Sequence, residues 1–169
     1  MLCLQRMEVE MGSSARPSTA IFVRPAWSDE GPALSALAME AKAHWGYDDE
    51  FLEQCRSELT ITYGKIGRQR VRVAEVAGEI AGFSALRIDE GSASLEYLFI
   101  HPRYIGMGLG HRLVGELLEY ARRHGLPLVR VEADPNSTGF YEKEGFCRRG
   151  EVASGSVPGR TIPLMELRF

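Results

Sequence analysis

The chain has 169 residues, close to the ~150 of one domain, and at that size folding removes about 70% of the unfolded surface from water. An apolar share of 44% and a charged share of 25% describe an ordinary globular chain; 20 Lys+Arg against 23 Asp+Glu leave −3, which argues against holding nucleic acid by bulk charge though not against a local basic patch. Cys3, Cys55 and Cys147 are too scattered for a disulfide framework or a metal site. No apolar run approaches the ~20 residues of a membrane span, and the first residues lack a secretory apolar stretch, so a cytoplasmic protein is expected.

Residues 1–19, with Gly12, Ser13, Ser14, Pro17, Ser18 and Thr19, carry no periodicity and read as a tail ahead of one domain over 20–169. Met7 and Met11 offer alternative starts within it. Ile21 to Val23 predicts a short strand ended by Pro25. Ser28 or Asp29 then offers an N-cap for a helix carrying Leu34, Leu37, Ala38 and Ala41, with Gly46 as its stop. Asp48 or Asp49 caps a second helix containing Phe51, Leu52 and Leu59. Val71 to Val76, Ile80 to Ile88 and Ser94 to Ile100 predict a meander turned at Gly78 and Gly91.

Leu109, Leu113, Val114, Leu117, Leu118 and Ala121 fall on one stripe of a long helix closed by Gly125. Leu128 to Ala133 predicts a strand, Ser137 to Glu144 a short helix, and Phe146 to Val152 and Thr161 to Phe169 two last strands. The order predicts an α+β domain: one mixed, mostly antiparallel sheet flanked by about four helices.

The segment His101 to His111 joins a strand to the long helix and carries alternating Gly106, Gly108 and Gly110. Missing side chains at a helix N-terminus let backbone N–H groups approach an anion, so a phosphate or pyrophosphate site is expected. A P-loop requires Gly-Lys-Ser/Thr, whereas Gly110 precedes His111 and Arg112. A dinucleotide fingerprint requires a third glycine where His111 or Leu113 stands. The bland alternative is a flexible turn.

Ile105-Gly-Met-Gly-Leu-Gly110 resembles the acetyl-CoA signature of the GNAT N-acetyltransferases, Gln/Arg-x-x-Gly-x-Gly/Ala, with Ile105 in the Gln/Arg position. Asp134 to Phe146 resembles the same family's Asn…Phe-Tyr-x-x-x-Gly-Phe segment, and the element order agrees over 20–169. The resemblance implies a GNAT-like fold and acetyl-CoA as co-substrate, with no metal. It places the cofactor on Leu98, Phe99 and Ile100 through their backbone, on the loop of Gly106, Met107, Gly108, Leu109, Gly110, His111 and Arg112, and on Asn136 and Tyr141. The bland reading of Asn136 is an N-cap. Arg103 and Lys143 are further cations within reach of phosphates, or solvated charges.

Acetyl transfer to an amine requires a proton acceptor, an oxyanion donor and a partner for the departing thiolate. Tyr141 matches the family tyrosine near the sulfur; its alternative is a core aromatic. Glu96, on the face of Leu98 and Ile100 by strand alternation, is the candidate base; its alternative is an exposed charge. Cysteine catalysis by Cys55 or Cys147 is the rival chemistry. The acceptor, a small-molecule or peptide amine, is expected over His44, Trp45 and Tyr47. Asp48, Asp49 and Glu50 would draw in a cation, and the Ser154 to Arg160 loop would close the far side. No nucleic acid or membrane partner is expected. Two readings stand beside the enzyme: an acyl-CoA-binding or sensing module without activity, and a homodimerisation domain pairing through Thr161 to Phe169.

Overall fold

The computed structural model describes residues 20–169; the expected tail, with Cys3, lies outside them. The elements run β1 (Ile21–Pro25), α1 (Gly31–Ala43), α2 (Asp49–Leu59), α3 (Tyr63–Arg68), β2 (Arg70–Val76), β3 (Glu79–Asp89), β4 (Ser92–Ile100), α4 (Leu109–Arg123), β5 (Leu128–Glu132), α5 (Thr138–Lys143), β6 (Cys147–Ala153) and β7 (Thr161–Arg168). Single 3-10 turns at Pro102–Tyr104 and Pro135–Ser137 precede α4 and α5. The strands form one sheet in the order β1-β2-β3-β4-β5-β7-β6. Every neighbour pair is antiparallel except β4 with β5.

That exception makes the central opening. The parallel pairing matches only Ala93–Leu95 with Val129–Val131. β4 then runs on to Ile100 against β3 alone, while β5 turns to β7. A bulge sits where the strands part: Leu86 opposes Leu95 and Ala85 opposes Tyr97, so Glu96 is the extra residue. The bulge reverses the alternation expected from sequence. Leu95 packs among the α4-side residues Val114 and Leu117, and Tyr97 packs on the other face among Leu34 and Phe83.

The α1–α3 face is closed by Leu34, Leu37, Ala38, Leu59, Ile61 and Phe83, and the α4–α5 face by Val114, Leu117, Tyr141, Phe146 and Met165. Each such fully buried Leu or Phe contributes roughly 1.5–3 kcal/mol. The predicted stripe of α4 is buried throughout. Asp48 caps α2, its carboxylate accepting from the Phe51 N–H at 2.8 Å.

Three expectations are corrected. Neither Ser28 nor Asp29 caps α1; Glu30 holds that position, and its carboxylate instead accepts from the Trp27 N–H and pairs with Arg24. Pro32 already fixes the first turn there. The helix α3, capped by Thr62, was not expected, because Gly64 and Gly67 lower the propensity of its six residues. Asn136 is not an N-cap: Asp134 caps the turn before α5, accepting from the Asn136 N–H at 3.0 Å. No helix of the described residues is long and apolar enough to cross a membrane.

Candidate active site

A cavity of about 610 Å3 fills the opening between β4 and β5. Its walls come from two groups of elements. One is β4 with the β4–α4 loop and α5; the other is α1, α2 and the β6–β7 loop.

In the first group, Gly106 and Gly108 have φ of +87° and +79°, the left-handed region that side chains rarely adopt. Open space lies where their Cβ atoms would stand. Gly108 is the N-cap of α4 and contributes no side-chain bond, so the first N–H groups of a 15-residue helix face outward uncapped. That terminus carries the positive end of the helix dipole. Gly106, Gly108, Leu109, Gly110 and His111 all line the cavity, as do Leu98, Phe99, Ile100 and Asn136. Met107 and Arg112 do not, and both point to solvent. Ile105 lines the mouth, half exposed. Arg103 lies over the Tyr104 ring and pairs with Glu79 outside the cavity.

Tyr141 lines the cavity wall at only 6% exposure, its ring against Phe140 and Phe146. Its hydroxyl has no hydrogen-bond partner among the described residues. Burial, then the nearby Asp134 carboxylate, push its pKa far above the ordinary tyrosine value, so the hydroxyl is a weaker acid than usual and stays protonated.

The second group is built from side chains. The Asp134 carboxylate accepts from Lys42 Nζ at 2.6 Å, from the Tyr47 hydroxyl at 3.0 Å and from Asn136 Nδ2 at 3.0 Å. The Tyr47 hydroxyl in turn accepts from Arg160 at 2.9 Å. Burial raises the Asp134 carboxyl, but the bonds from Lys42 and from the Asn136 N–H outweigh it, so the group ends below its ordinary value. The Arg160 guanidinium also stacks over Phe51 at 4.7 Å. Ser154, Gly155, Ser156 and Arg160 close the far side of the cavity as expected.

Of the three expected acceptor residues, Trp45 lines the cavity, Tyr47 stands behind the wall as the hub of the Asp134 network, and His44 is exposed on the outside. Asp48, Asp49 and Glu50 also stay outside, in the first turn of α2. The carboxylates that face the cavity are Glu58, Glu96, Glu132, Asp134 and Glu144. Glu96 lines the cavity with Leu98 and Ile100, but it is the extra residue of the bulge and Arg87 Nε on β3 holds it at 2.9 Å. Glu58, at the far end of α2, has no ion pair among the described residues, and no motif in the sequence pointed to it. Glu58 is exposed as a residue, yet partial burial of its carboxyl where it opens on the cavity pushes it above the ordinary value; Lys42 opposes this and Glu132 adds to it. Cys55 is buried in the same wall, its thiol pushed up by burial. Cys147 is exposed on β6. No group of three or more metal-ligating side chains occurs among the described residues.

Known proteins are similar to this chain in sequence or in fold. A 5-NmdU N-acetyltransferase of Pseudomonas phage PaMx11 is 27% identical over 137 residues, 80% of this chain and 93% of that protein. The PaiA N-acetyltransferase of Thermoplasma acidophilum, solved in complex with coenzyme A, superposes with a TM-score of 0.75 at 22% identity, covering 89% of this chain and 99% of that one. The ribosomal-protein-S18-alanine N-acetyltransferase of Escherichia coli superposes at 0.65 with 19% identity, covering 88% and 94%. The model of the acetyltransferase (GNAT) family matches residues 35–146. With the helix-capping glycine loop, the β4–β5 opening and this match together, the chain belongs to the GNAT family and is an acetyl-CoA-dependent N-acetyltransferase.

Proposed function

We propose that this enzyme acetylates a primary amine by direct attack, with donor and acceptor held together in the β4–β5 cavity. The observation that carries the reading is one juxtaposition: an uncapped, side-chain-free helix N-terminus and a buried, unpartnered tyrosine hydroxyl line the same opening. Acetyl-CoA fits the residues present, since the N–H groups from Gly108 to His111 suit its pyrophosphate. The β4 edge beyond Leu95, unpaired on its β5 side, suits its amide arm. When bound it supplies the activated acetyl group.

The chain's own residues do the rest. A backbone N–H among Leu98, Phe99 and Ile100 stabilises negative charge on the carbonyl oxygen. The Tyr141 hydroxyl donates to the departing sulfur, and Asn136 orients the arm while bonded to Asp134 and Tyr47. The amine approaches from the α1–α2 side, across Trp45 and Phe51. The relatives above differ in the acceptor their names state.

Release of free thiol from acetyl-CoA across a panel of primary amines tests the reading. Tyr141→Phe keeps the ring and removes the proton, so turnover should fall by ~100-fold with little change in acetyl-CoA affinity. Thiol release by neither parent nor variant, with acetyl-CoA bound, would leave a binding module. Equal turnover, with chemistry rate-limiting, would return Tyr141 to the core.

A further inference from the structure

The acceptor side of the cavity holds a carboxylate that the sequence did not mark. Glu58 sits on the last turn of α2, and that turn is fixed to the sheet. The Tyr97 hydroxyl on β4 donates to the Glu58 carbonyl at 2.9 Å. Lys65 Nζ on α3 donates to the same carbonyl at 2.9 Å, to the Thr60 carbonyl at 2.7 Å and to the Tyr97 hydroxyl at 2.9 Å. The lysine's donors are therefore spent on the end of α2, where a cation suits the helix dipole. The Glu58 carboxylate is left facing the cavity with no ion pair among the described residues.

Of the other carboxylates on the cavity, Glu132 of β5 also has no ion pair among the described residues but lies on the sheet rather than on the acceptor-side helix, and Glu144 meets His111 at 3.0 Å. Glu96 is engaged by Arg87, which Asp89 holds from behind. Asp134 is engaged by Lys42 and Tyr47. The charged groups acting on Glu58 are Lys42 of α1, Lys65 of α3, Glu96 of β4 and Glu132 of β5. Its helix end is tied to β4 by way of Tyr97, next to the bulge where the strands part. Tyr141, buried and unpartnered, opens on the same cavity.

Building on the acetyltransferase reading, we infer that Glu58, rather than Glu96, receives the proton of the acceptor, and that the acceptor is a primary alkylamine entering as its ammonium ion. The ammonium gives one proton to the Glu58 carboxylate. The freed nitrogen lone pair forms the C–N bond at the thioester carbonyl carbon, and the C–S bond breaks. A second N–H proton reaches the sulfur through the Tyr141 hydroxyl, which takes one proton as it gives one and so never becomes a buried phenolate. Glu58 then returns its proton to water, and one proton is released per amide formed. The role rests on the place of Glu58 on the cavity without an ion pair among the described residues; Glu58 is exposed as a residue, and the partial burial of its carboxyl, which raises it above the ordinary value, adds to its strength as a proton acceptor. Phe51 and Trp45 give the carbon chain an apolar surface.

The test uses the full chain and n-butylamine as probe. The 13C signal of the Glu58 side-chain carboxyl is followed with coenzyme A bound, and thiol release from acetyl-CoA is followed against pH. The Glu58 signal should titrate above the ordinary carboxylate range and move when the amine is added. Glu58→Gln should lower kcat/KM by ~100-fold and remove the acid limb of its pH profile, with acetyl-CoA affinity kept. Added formate should restore part of the rate to Glu58→Ala. Asp49→Asn, at the outer end of the same helix, should leave rate and profile as in the parent. A Glu58 signal unmoved by the amine, or an acid limb kept in Glu58→Gln, would overturn the assignment alone. For an amine that binds without being acetylated, the carboxyl signal decides. A parent that binds no acetyl-CoA would overturn the acetyltransferase reading and this one with it.

Discussion

The two halves of the cavity are built from different materials. The half between β4 and α4 is made of backbone: Gly106 and Gly108 in left-handed conformation, an uncapped helix terminus and an unpaired strand edge. The half over α1, α2 and the β6–β7 loop is made of side chains tied to one another, with Asp134 and the Tyr47 hydroxyl as its two hubs. A backbone site recognises what every ligand of one kind shares, in the proposed reading phosphate and amide groups. A side-chain site discriminates, because each group in it is replaceable. Asn136 bonds to both hubs from the cofactor-side motif, so the halves meet at one point.

Breaking that meeting point should have the largest effect on stability. Lys42 and Asp134 pair with side chains at 16% and 14% exposure. Asp134→Asn leaves Lys42 without its partner and should cost ~3 kcal/mol, measured by urea unfolding at neutral pH. The Asp134 carboxyl lies below its ordinary value when folded, so its contribution is present at neutral pH and is lost only as pH falls through the folded value. Parent and variant curves should therefore converge in strong acid. A neutral-pH loss under ~1 kcal/mol would make the pair ornamental and the halves independent.

A smaller effect separates the two candidate proton acceptors. Glu96 is tied to Arg87 in a half-exposed pair, so Glu96→Gln should lower kcat/KM by about 5-fold or less. A loss as large as that expected for Glu58→Gln would move the role to β4.

The smallest effect runs the other way. A carboxylate raised by burial is a cost to folding once it ionises. Glu58 is exposed as a residue and its charge is largely screened, so Glu58→Gln should raise Tm at neutral pH only slightly, and the gain should vanish below the ordinary carboxylate range, where both chains carry a neutral group. A variant both more stable and less active is the mark of a group kept for chemistry. A fall in Tm would mean that Glu58 holds the fold together.

The same division explains what was legible in the sequence. The backbone half is local: three alternate glycines between a strand and an apolar helical stripe fall within one short segment, and the structure puts Gly106, Gly108 and Gly110 on the cavity. Tyr141's place on the cavity wall was legible for the same reason, since Phe140, Tyr141 and Gly145 stand together in the chain. The side-chain half is not local. Asp134 finds Tyr47 at a separation of 87 residues, and Arg160 finds it at 113. The acids beside Trp45 in sequence serve the start of α2, whereas Glu58, one end of the helix away, reaches the cavity. Glu96 falls on a bulge and pairs with Arg87, neither of which strand alternation reveals. His44, adjacent to Trp45 in sequence, turns outward.

The measurement that tests this division most directly is the acetyl-CoA dissociation constant of the parent, Gly108→Val and Arg160→Ala, by calorimetry on chains shown to be folded. A β-branched residue resists φ of +79° and places atoms in front of the helix N-terminus, removing two or more charged hydrogen bonds, so Gly108→Val should bind ~100-fold more weakly. Arg160→Ala cuts only the acceptor half and should stay within about 3-fold of the parent. Parent-like binding by Gly108→Val, or an equal loss in Arg160→Ala, would contradict a cofactor held by backbone and an acceptor held by side chains.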